Sequence, residues 1–393
     1  MSVAKKRIVV CFVLLSLLTV LFTACGSGQE PEPAQKTNTP AEESTAATEK
    51  PAATTQDEPE KTKKLDPWVH VKPAAFGSLD DIIYAVGMTM GYWEEEGIDI
   101  RVEAAAAGSS ETKMVAAGRG DSCGASPYIL LPAIENGIPL ISYFQVDSIN
   151  FFGFAFHPDK GFKDIKDLAG KKIALGNIAW KNISDANLIA GGVDPESVEY
   201  VVLGENRAQM TWDKQCDAVL TWEKEYQQWQ GRGMEFTVIK GWDYLKGPAN
   251  SLSTTAANLN NPEFLDRAER AVRGYAKSIN FIRCNPRAAT QICLDMFPAI
   301  TIEFDMALRA VEAGTAVHHG SGFQLKEGYG YGYHDPVAWD NVQDACVKAG
   351  VMKQIIPAEM VYTNQFTVEL TDEEKAKIEK DANEYPLRDE NKG

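Results

Sequence analysis

Trp180 and Trp222 stand among polar residues suited to holding a small molecule. Asn177 and Asn182 flank the first, and Glu223 follows the second. An indole face supplies a large contact area at low rotamer cost, so the two predict stacking walls for a planar solute, with core packing as the alternative use of either ring. Glu223 can accept hydrogen bonds from an amine, or sit as a solvated glutamate in the first turn of a helix. Ser109 and Ser110 offer hydroxyls and free amides at a helix start, where capping is the other use of the same groups. Arg207 can clamp a carboxylate with two parallel hydrogen bonds, or remain a surface arginine. This is the chemistry of recognition rather than bond making. The chain has no GxSxG elbow, HExxH pair or P-loop. His318-His319 lies in a glycine-rich stretch where adjacent imidazoles point apart and no third ligand is evident, so no metal site is expected.

The N-terminal residues decide the compartment. Lys5, Lys6 and Arg7 precede an apolar run from Ile8 to Phe22, which has the length of a signal-peptide core and is short for a membrane span. It ends in Leu21-Phe22-Thr23-Ala24-Cys25, which resembles the bacterial lipobox, in which the cysteine is lipidated and becomes the mature N-terminus. The expected division is a signal peptide over 1–24 and a tether over 25–64. The tether is rich in Pro, Glu, Thr and Ala and lacks aromatic residues, so it cannot offset its own ordering entropy. A charged tail over 371–393 reads as a surface helix followed by a frayed end.

The intervening roughly 300 residues exceed one typical domain and fit two compact lobes. A formal charge of −16 argues against a nucleic-acid partner. Of seven cysteines, Cys11 leaves with the signal and Cys25 is the lipidation site. The other five cannot all pair, and no CxxC spacing marks a zinc or redox site. Cys284 and Cys293 could be bridged, but buried free thiols are expected.

Short apolar runs alternate with helical patterns, which predicts α/β architecture. Trp68-Val69-His70-Val71 reads as the first strand. Ile82, Ile83, Val86, Met90 and Trp93 recur at helical spacing toward a cap at Gly97. Further strands are expected over Ile98–Ala106, Asp121–Gly124 and Leu140–Val146, with a helix opening at Pro127. A second lobe is expected over 158–250, beginning after Phe156-His157-Pro158. The first lobe then comprises 65–157 and 251–370, completed by the helix from Pro262 and those after it.

Gly91-Tyr92-Trp93-Glu94-Glu95-Glu96-Gly97-Ile98-Asp99-Ile100 resembles the signature of solute-binding proteins of the nitrate, sulfonate and thiamine-precursor group. Ala117-Gly118-Arg119-Gly120-Asp121, Asp167-Leu168-Ala169-Gly170-Lys171, Asp217-Ala218-Val219-Leu220-Thr221, Gly332-Tyr333-His334-Asp335-Pro336 and Tyr362-Thr363-Asn364-Gln365-Phe366 extend the likeness from about Trp68 to Phe366. The resemblance implies the two-lobed type II periplasmic-binding-protein fold with two hinge crossings. It further implies a lipid-anchored, monomeric, cofactor-free extracytoplasmic component of an ABC importer, which closes on a small organic solute and passes it to a membrane permease.

In such a fold the loops after strands supply the pocket. This adds Phe76, Ser78 and Tyr84 after the first strand and Ser126 and Tyr128 after the third to Ser109, Ser110, Asn177, Trp180, Asn182, Trp222 and Glu223. Oxyanion-binding relatives tend to carry a small-residue loop where this chain has Gly176-Asn177-Ile178-Ala179-Trp180. The expected solute is therefore a planar pyrimidine-like or aromatic molecule, with a sulfonate- or nitrate-like anion as the alternative. A pyrimidine synthase shares the fold, but its chemistry would need an anchoring lysine, a catalytic histidine and a cysteine-rich iron motif. The chain has no cysteine cluster, and no enzyme is expected.

Overall fold

A computed structural model describes residues 64–73, 75–105, 110–318 and 329–392. The expected signal peptide, the lipidated Cys25 and all but the last residue of the tether lie outside them. The strands are β1 (Asp66–Lys72), β2 (Ile98–Ala104), β3 (Ser122–Ala125), β4 (Leu140–Asp147), β5 (Phe152–Phe156), β6 (Lys172–Leu175), β7 (Glu199–Val202), β8 (Ala218–Trp222), β9 (Thr237–Lys240) and β10 (Asn250–Thr255). The helices are α1 (Ile82–Met90), α2 (Tyr92–Glu95), α3 (Ser110–Ala116), α4 (Pro127–Glu135), α5 (Lys181–Ala190), α6 (Arg207–Trp212), α7 (Glu223–Gly231), α8 (Pro262–Cys284), α9 (Pro286–Met296), α10 (Phe304–His318), α11 (Pro336–Lys348) and α12 (Asp372–Asn383). The strands form two sheets, ordered β2-β1-β3-β10-β4 and β7-β6-β8-β5-β9. In each, the strands that lead into helices run parallel, and the strands next to the crossings are antiparallel.

The sheets correct two expectations. β5 was expected in the first lobe, yet it pairs with β8 and β9, so the first crossing lies between Asp147 and Phe152 rather than after His157. The Phe152-Gly153-Phe154-Ala155-Phe156 run is buried on both faces, which alternation cannot reveal. The crossings are tied to one another. Asn150 donates to Asn187 Oδ1 (2.7 Å) and to the Leu245 carbonyl (3.3 Å), and the Ala249 amide donates to Asp147 (3.0 Å). The helices after α8 also do not simply complete the first lobe. α10 packs against both α9 and α7, and α11 lies against both α4 and α5.

The aromatic of the Gly-Tyr-Trp signature is a structural wedge. Gly91, at φ 72°, ends α1 in the left-handed region and starts a new turn at Tyr92, where one continuous helix was expected. The break directs Trp93 between α1 and α8. Its ring fills the space beside Gly87 and Gly274, and its Nε1 donates to the Ala271 carbonyl at 2.9 Å. A Cβ on Gly274 would fall 2.3 Å from Trp93 Cδ1. Gly274→Ala is therefore expected to destabilise the protein in urea unfolding. Overpacking of about 1–3 kcal/mol outweighs the gain of roughly 1 kcal/mol in helix propensity.

His334 and Asn364 pin the C-terminal segments to the first sheet. Ser142 Oγ donates to His334 Nε2 at 2.6 Å, and Asn364 Oδ1 accepts from the His334 amide (2.7 Å) and from Nδ1 (3.0 Å). The ring stacks on Tyr362 with centroids 5.1 Å apart. The frayed end expected after α12 is instead docked. Asn391 is buried against Gln291, and its carbonyl accepts from Arg287 at 3.0 Å. Burial lowers the His334 pKa to about 3, partly opposed by the Asn364 hydrogen bond. The native ring stays neutral, whereas the unfolded one protonates below about 6.5, so this contribution is complete above pH 6.5 and falls as pH drops toward 3. Between those limits wild type should lose about 1.4 kcal/mol per pH unit more than His334→Gln in denaturant titrations. Parallel pH curves would remove His334 as the group responsible.

Candidate functional site

The loops that follow β1 and β3 in the first lobe face those that follow β6 and β8 in the second, and three contacts join them. Trp222 Nε1 donates to Asp80 at 3.1 Å and 3.3 Å to its two oxygens. Lys224 Nζ lies 3.4 Å from Asp80 Oδ1. Asn182 Nδ2 donates to the Tyr128 carbonyl at 3.3 Å.

Three buried cations beside this cleft each meet a carboxylate. Lys72, at the end of β1, pairs with Asp81 and also donates to the Ala75 carbonyl at 3.1 Å. Asp81 Oδ2 in turn accepts from the Gly77 and Ser78 amides (2.8 Å and 2.9 Å), fixing the β1–α1 loop. Arg207, nearly fully buried, pairs with Glu225 and lies over three indoles, 5.0 Å from Trp180, 5.6 Å from Trp229 and 5.8 Å from Trp222. Thr221 Oγ1 donates to the other Glu225 oxygen at 2.9 Å. Arg207 is therefore buried rather than a surface arginine, and the carboxylate it meets is the protein's own Glu225.

Trp180 and Trp222 meet edge to face with centroids 5.5 Å apart, and both are half-buried. Trp180 lies against its own loop. A Cβ on Gly176 would sit 2.2 Å from its ring, so only glycine lets the indole lie down there. Glu223 is buried and accepts from the Tyr226 hydroxyl and from Gln227 Nε2 (3.5 Å), while no cation lies within ion-pair distance of it among the described residues. A shallow recess with about 150 Å³ of empty space lies beside Trp222, Glu223, Tyr226, Lys240 and Trp242.

Across the cleft, Phe76 is exposed at the rim and Tyr84 is half-buried behind it, their rings 6.0 Å apart. Ser78 forms a capping box with Asp81, and Asn177 Oδ1 caps its turn by accepting from the Ala179 amide at 2.9 Å. Both polar groups thus serve the backbone. Ser126 Oγ is buried and has no partner among the described residues. Tyr128 is enclosed against Phe152, its ring 6.0 Å away. Ser110 opens α3, while Ser109 and His319 lie outside the described residues. Sequence reasoning passed over Asp80, Lys224 and Glu225, whose types are those of any exposed first turn. It also passed over Glu111, which is wholly buried with both carboxyl oxygens unpartnered among the described residues, so that burial pushes its pKa to about 7.

Residues 80–289 match the family model described as NMT1/THI5 like. The riboflavin-binding protein RibY of Chloroflexus aurantiacus is 24% identical over 367 residues, covering 89% of this chain and 95% of that protein. The 4-amino-5-hydroxymethyl-2-methylpyrimidine phosphate synthase THI11 of Saccharomyces cerevisiae is 25% identical over 227 residues, 55% of this chain and 67% of that protein. Among solved structures, the periplasmic aliphatic sulphonate binding protein SsuA of Escherichia coli superposes with a TM-score of 0.59 at 12% identity, covering 79% of this chain and 95% of that one. With the two sheets and two crossings described above, the chain has the two-lobed type II periplasmic-binding-protein fold and belongs to the NMT1/THI5-like family.

Proposed function

We propose that the protein is the extracytoplasmic solute-binding component of an ABC importer, and that it captures a small planar organic solute with hydrogen-bond donors on its edge. The observation that carries the solute class is the charge pairing of the cleft. Lys72, Lys224 and Arg207 each face a carboxylate, while Glu223 remains an acceptor without a cation among the described residues. At Lys72, Lys224 and Arg207 an oxyanion would have to displace a carboxylate, whereas an N–H donor finds Glu223 ready; Lys240, on the same recess, lies over the Trp242 ring at 4.7 Å. Trp180 and Trp222 supply the aromatic faces. The relatives that act on or bind planar heterocycles by name, RibY and THI11, agree with this reading. The synthase name of THI11 favours a second reading as a pyrimidine synthase-type enzyme. Reversible binding of an added solute that is released intact supports the binding reading, whereas release of a pyrimidine that was never added would decide for the synthase.

A thermal-shift panel of flavins, pyrimidines, aromatic acids, alkanesulfonates and nitrate tests the solute class. A solute at 100 times its Kd should add about 2.7 kcal/mol, which at roughly 2.1 cal/mol/K of unfolding entropy per residue is about 4 °C for a chain of this size. Shifts are expected with planar organics; a shift with sulfonate or nitrate alone would overturn the assignment. Against the responding solute, Trp222→Ala should weaken binding about tenfold, the loss of an aromatic face worth roughly 1.5 kcal/mol. Trp222→Phe keeps the face and should retain most of the affinity. Equal affinity in all three proteins would remove Trp222 from the site.

We also assign Cys25 as the lipid-bearing residue, on the lipobox-like run before it. Expressed in a bacterium fed labelled palmitate, the full chain should take up label and Cys25→Ser should not. Equal labelling of the two would refute the anchor.

A further inference from the structure

Asp80 occupies an unusual place for a first-turn aspartate. It belongs to the first lobe, in the turn Leu79–Asp81 before α1, yet its carboxylate is held by two donors of the second lobe. Trp222 presents its Nε1 from the end of β8, and Lys224 presents its ammonium from the first turn of α7. Neither donor has a hydrogen bond or ion pair to any other group among the described residues. Lys224 is also held in position. Its side chain is about nine-tenths buried, and its Cγ and Cδ lie 2.5 Å and 2.7 Å from where a Cβ on Gly314 of α10 would stand. A flexible lysine stem loses its rotamer freedom there to place one charge on one carboxylate.

An indole N–H and an ammonium converging on one point are what a carboxylate or sulfonate would be held by. We propose that Asp80 is a specificity residue, a carboxylate of the first lobe that takes the second lobe's anion donors, so that the lobes close on the protein's own charge and anionic solutes are turned away. This rests on the solute-binding reading of the cleft and goes beyond it by naming the residue that selects against anions. Three features of the pair agree. The contact is interlobe, so it forms only when the lobes approach. Lys224 is largely shielded from water, so its charge is not screened away. The acceptor is carried by a rigid turn, which the Asp81 capping box and the Lys72–Asp81 pair fix from the other side.

The test compares wild type, Asp80→Ala, Lys224→Met and the double variant by calorimetric titration with acetate, which replaces the deleted carboxylate, and with methanesulfonate. Circular dichroism and a thermal melt establish that each variant folds. Asp80→Ala should bind both anions at least about tenfold more tightly than wild type, and Lys224→Met in that background should abolish the gain. Should the alanine variant not fold, Asp80→Asn, which keeps the side chain's size and removes its charge, carries the same expectation. An anion affinity unchanged from wild type, or a gain that survives loss of Lys224, overturns the role of Asp80. The planar solutes, titrated into wild type alongside, separate the two claims. If they bind while the anion comparison fails, only Asp80's role falls. If they do not bind, the solute class falls, and the variants still decide Asp80.

Discussion

A cation taken out of water costs several kcal/mol even after the protein relaxes, and that cost organises the cleft. Lys72, Lys224 and Arg207 are all at least about nine-tenths buried, and each is matched by an acidic partner in a neighbouring turn. The helix dipoles make the matching more necessary. Lys224 and Arg207 stand in the first turns of α7 and α6, where the dipole opposes positive charge. Asp80, Asp81 and Glu225 lie in first turns, where it favours negative charge. The dipole thus favours the carboxylates, although burial still pushes the Glu225 pKa up to about 8 against the pull of Arg207 and of the Thr221 hydrogen bond. Removing Asp80 or Glu225 leaves a buried cation at the wrong end of a helix, whereas removing Lys72 leaves Asp81 still stabilised by the Gly77 and Ser78 amides.

The aromatic side chains extend the same logic. Arg207 is covered on several sides by the indoles of Trp180, Trp222 and Trp229, so its charge rests on ring faces where it does not meet Glu225. Trp180 reaches that position only because Gly176 leaves room beneath it. The bulk of the loop 176–180, which first suggests a pocket unsuited to oxyanions, thus has a structural cause. The loop is shaped to lay one indole over a buried guanidinium and set it edge-on to another.

Much of the architecture was legible from pattern. Alternation and turn residues marked most strands, Pro127 and Pro262 marked helix starts, and the order of short motifs marked the two-lobed fold. β5 was misplaced because a strand buried on both faces shows no alternation, and its pairing partners lie far off in sequence. α10 and α11 were expected wholly in the first lobe, yet each packs on elements of both, because amphipathic helices report that they are buried, not which lobe buries them. At the site, tryptophans drew attention by rarity, whereas Asp80, Lys224 and Glu225 look like ordinary solvated residues until the fold brings their partners across from other segments. The Trp-bearing signature shows the converse. Its aromatic is prominent in sequence, yet Trp93 acts wholly as a wedge between Gly87 and Gly274.

These features bear on how a two-lobed protein can bind at all. A solute shifts the lobes only by as much as it prefers the closed arrangement to the open one. Contacts that the lobes make with each other raise the closed fraction before any solute contributes, and the apparent affinity rises in proportion to that fraction. Here the interlobe contacts include the Asp80 pair, the Asn182–Tyr128 hydrogen bond and the Tyr128–Phe152 ring contact, while α10 and α11 each touch elements of both lobes. On the proposed reading, a neutral solute entering the cleft meets Lys72, Lys224 and Arg207 already paired with the protein's own acids. On that reading its binding energy is left for aromatic contact and for the hydrogen bonds of Glu223, which suits a molecule with a flat face and a polar edge better than a compact ion.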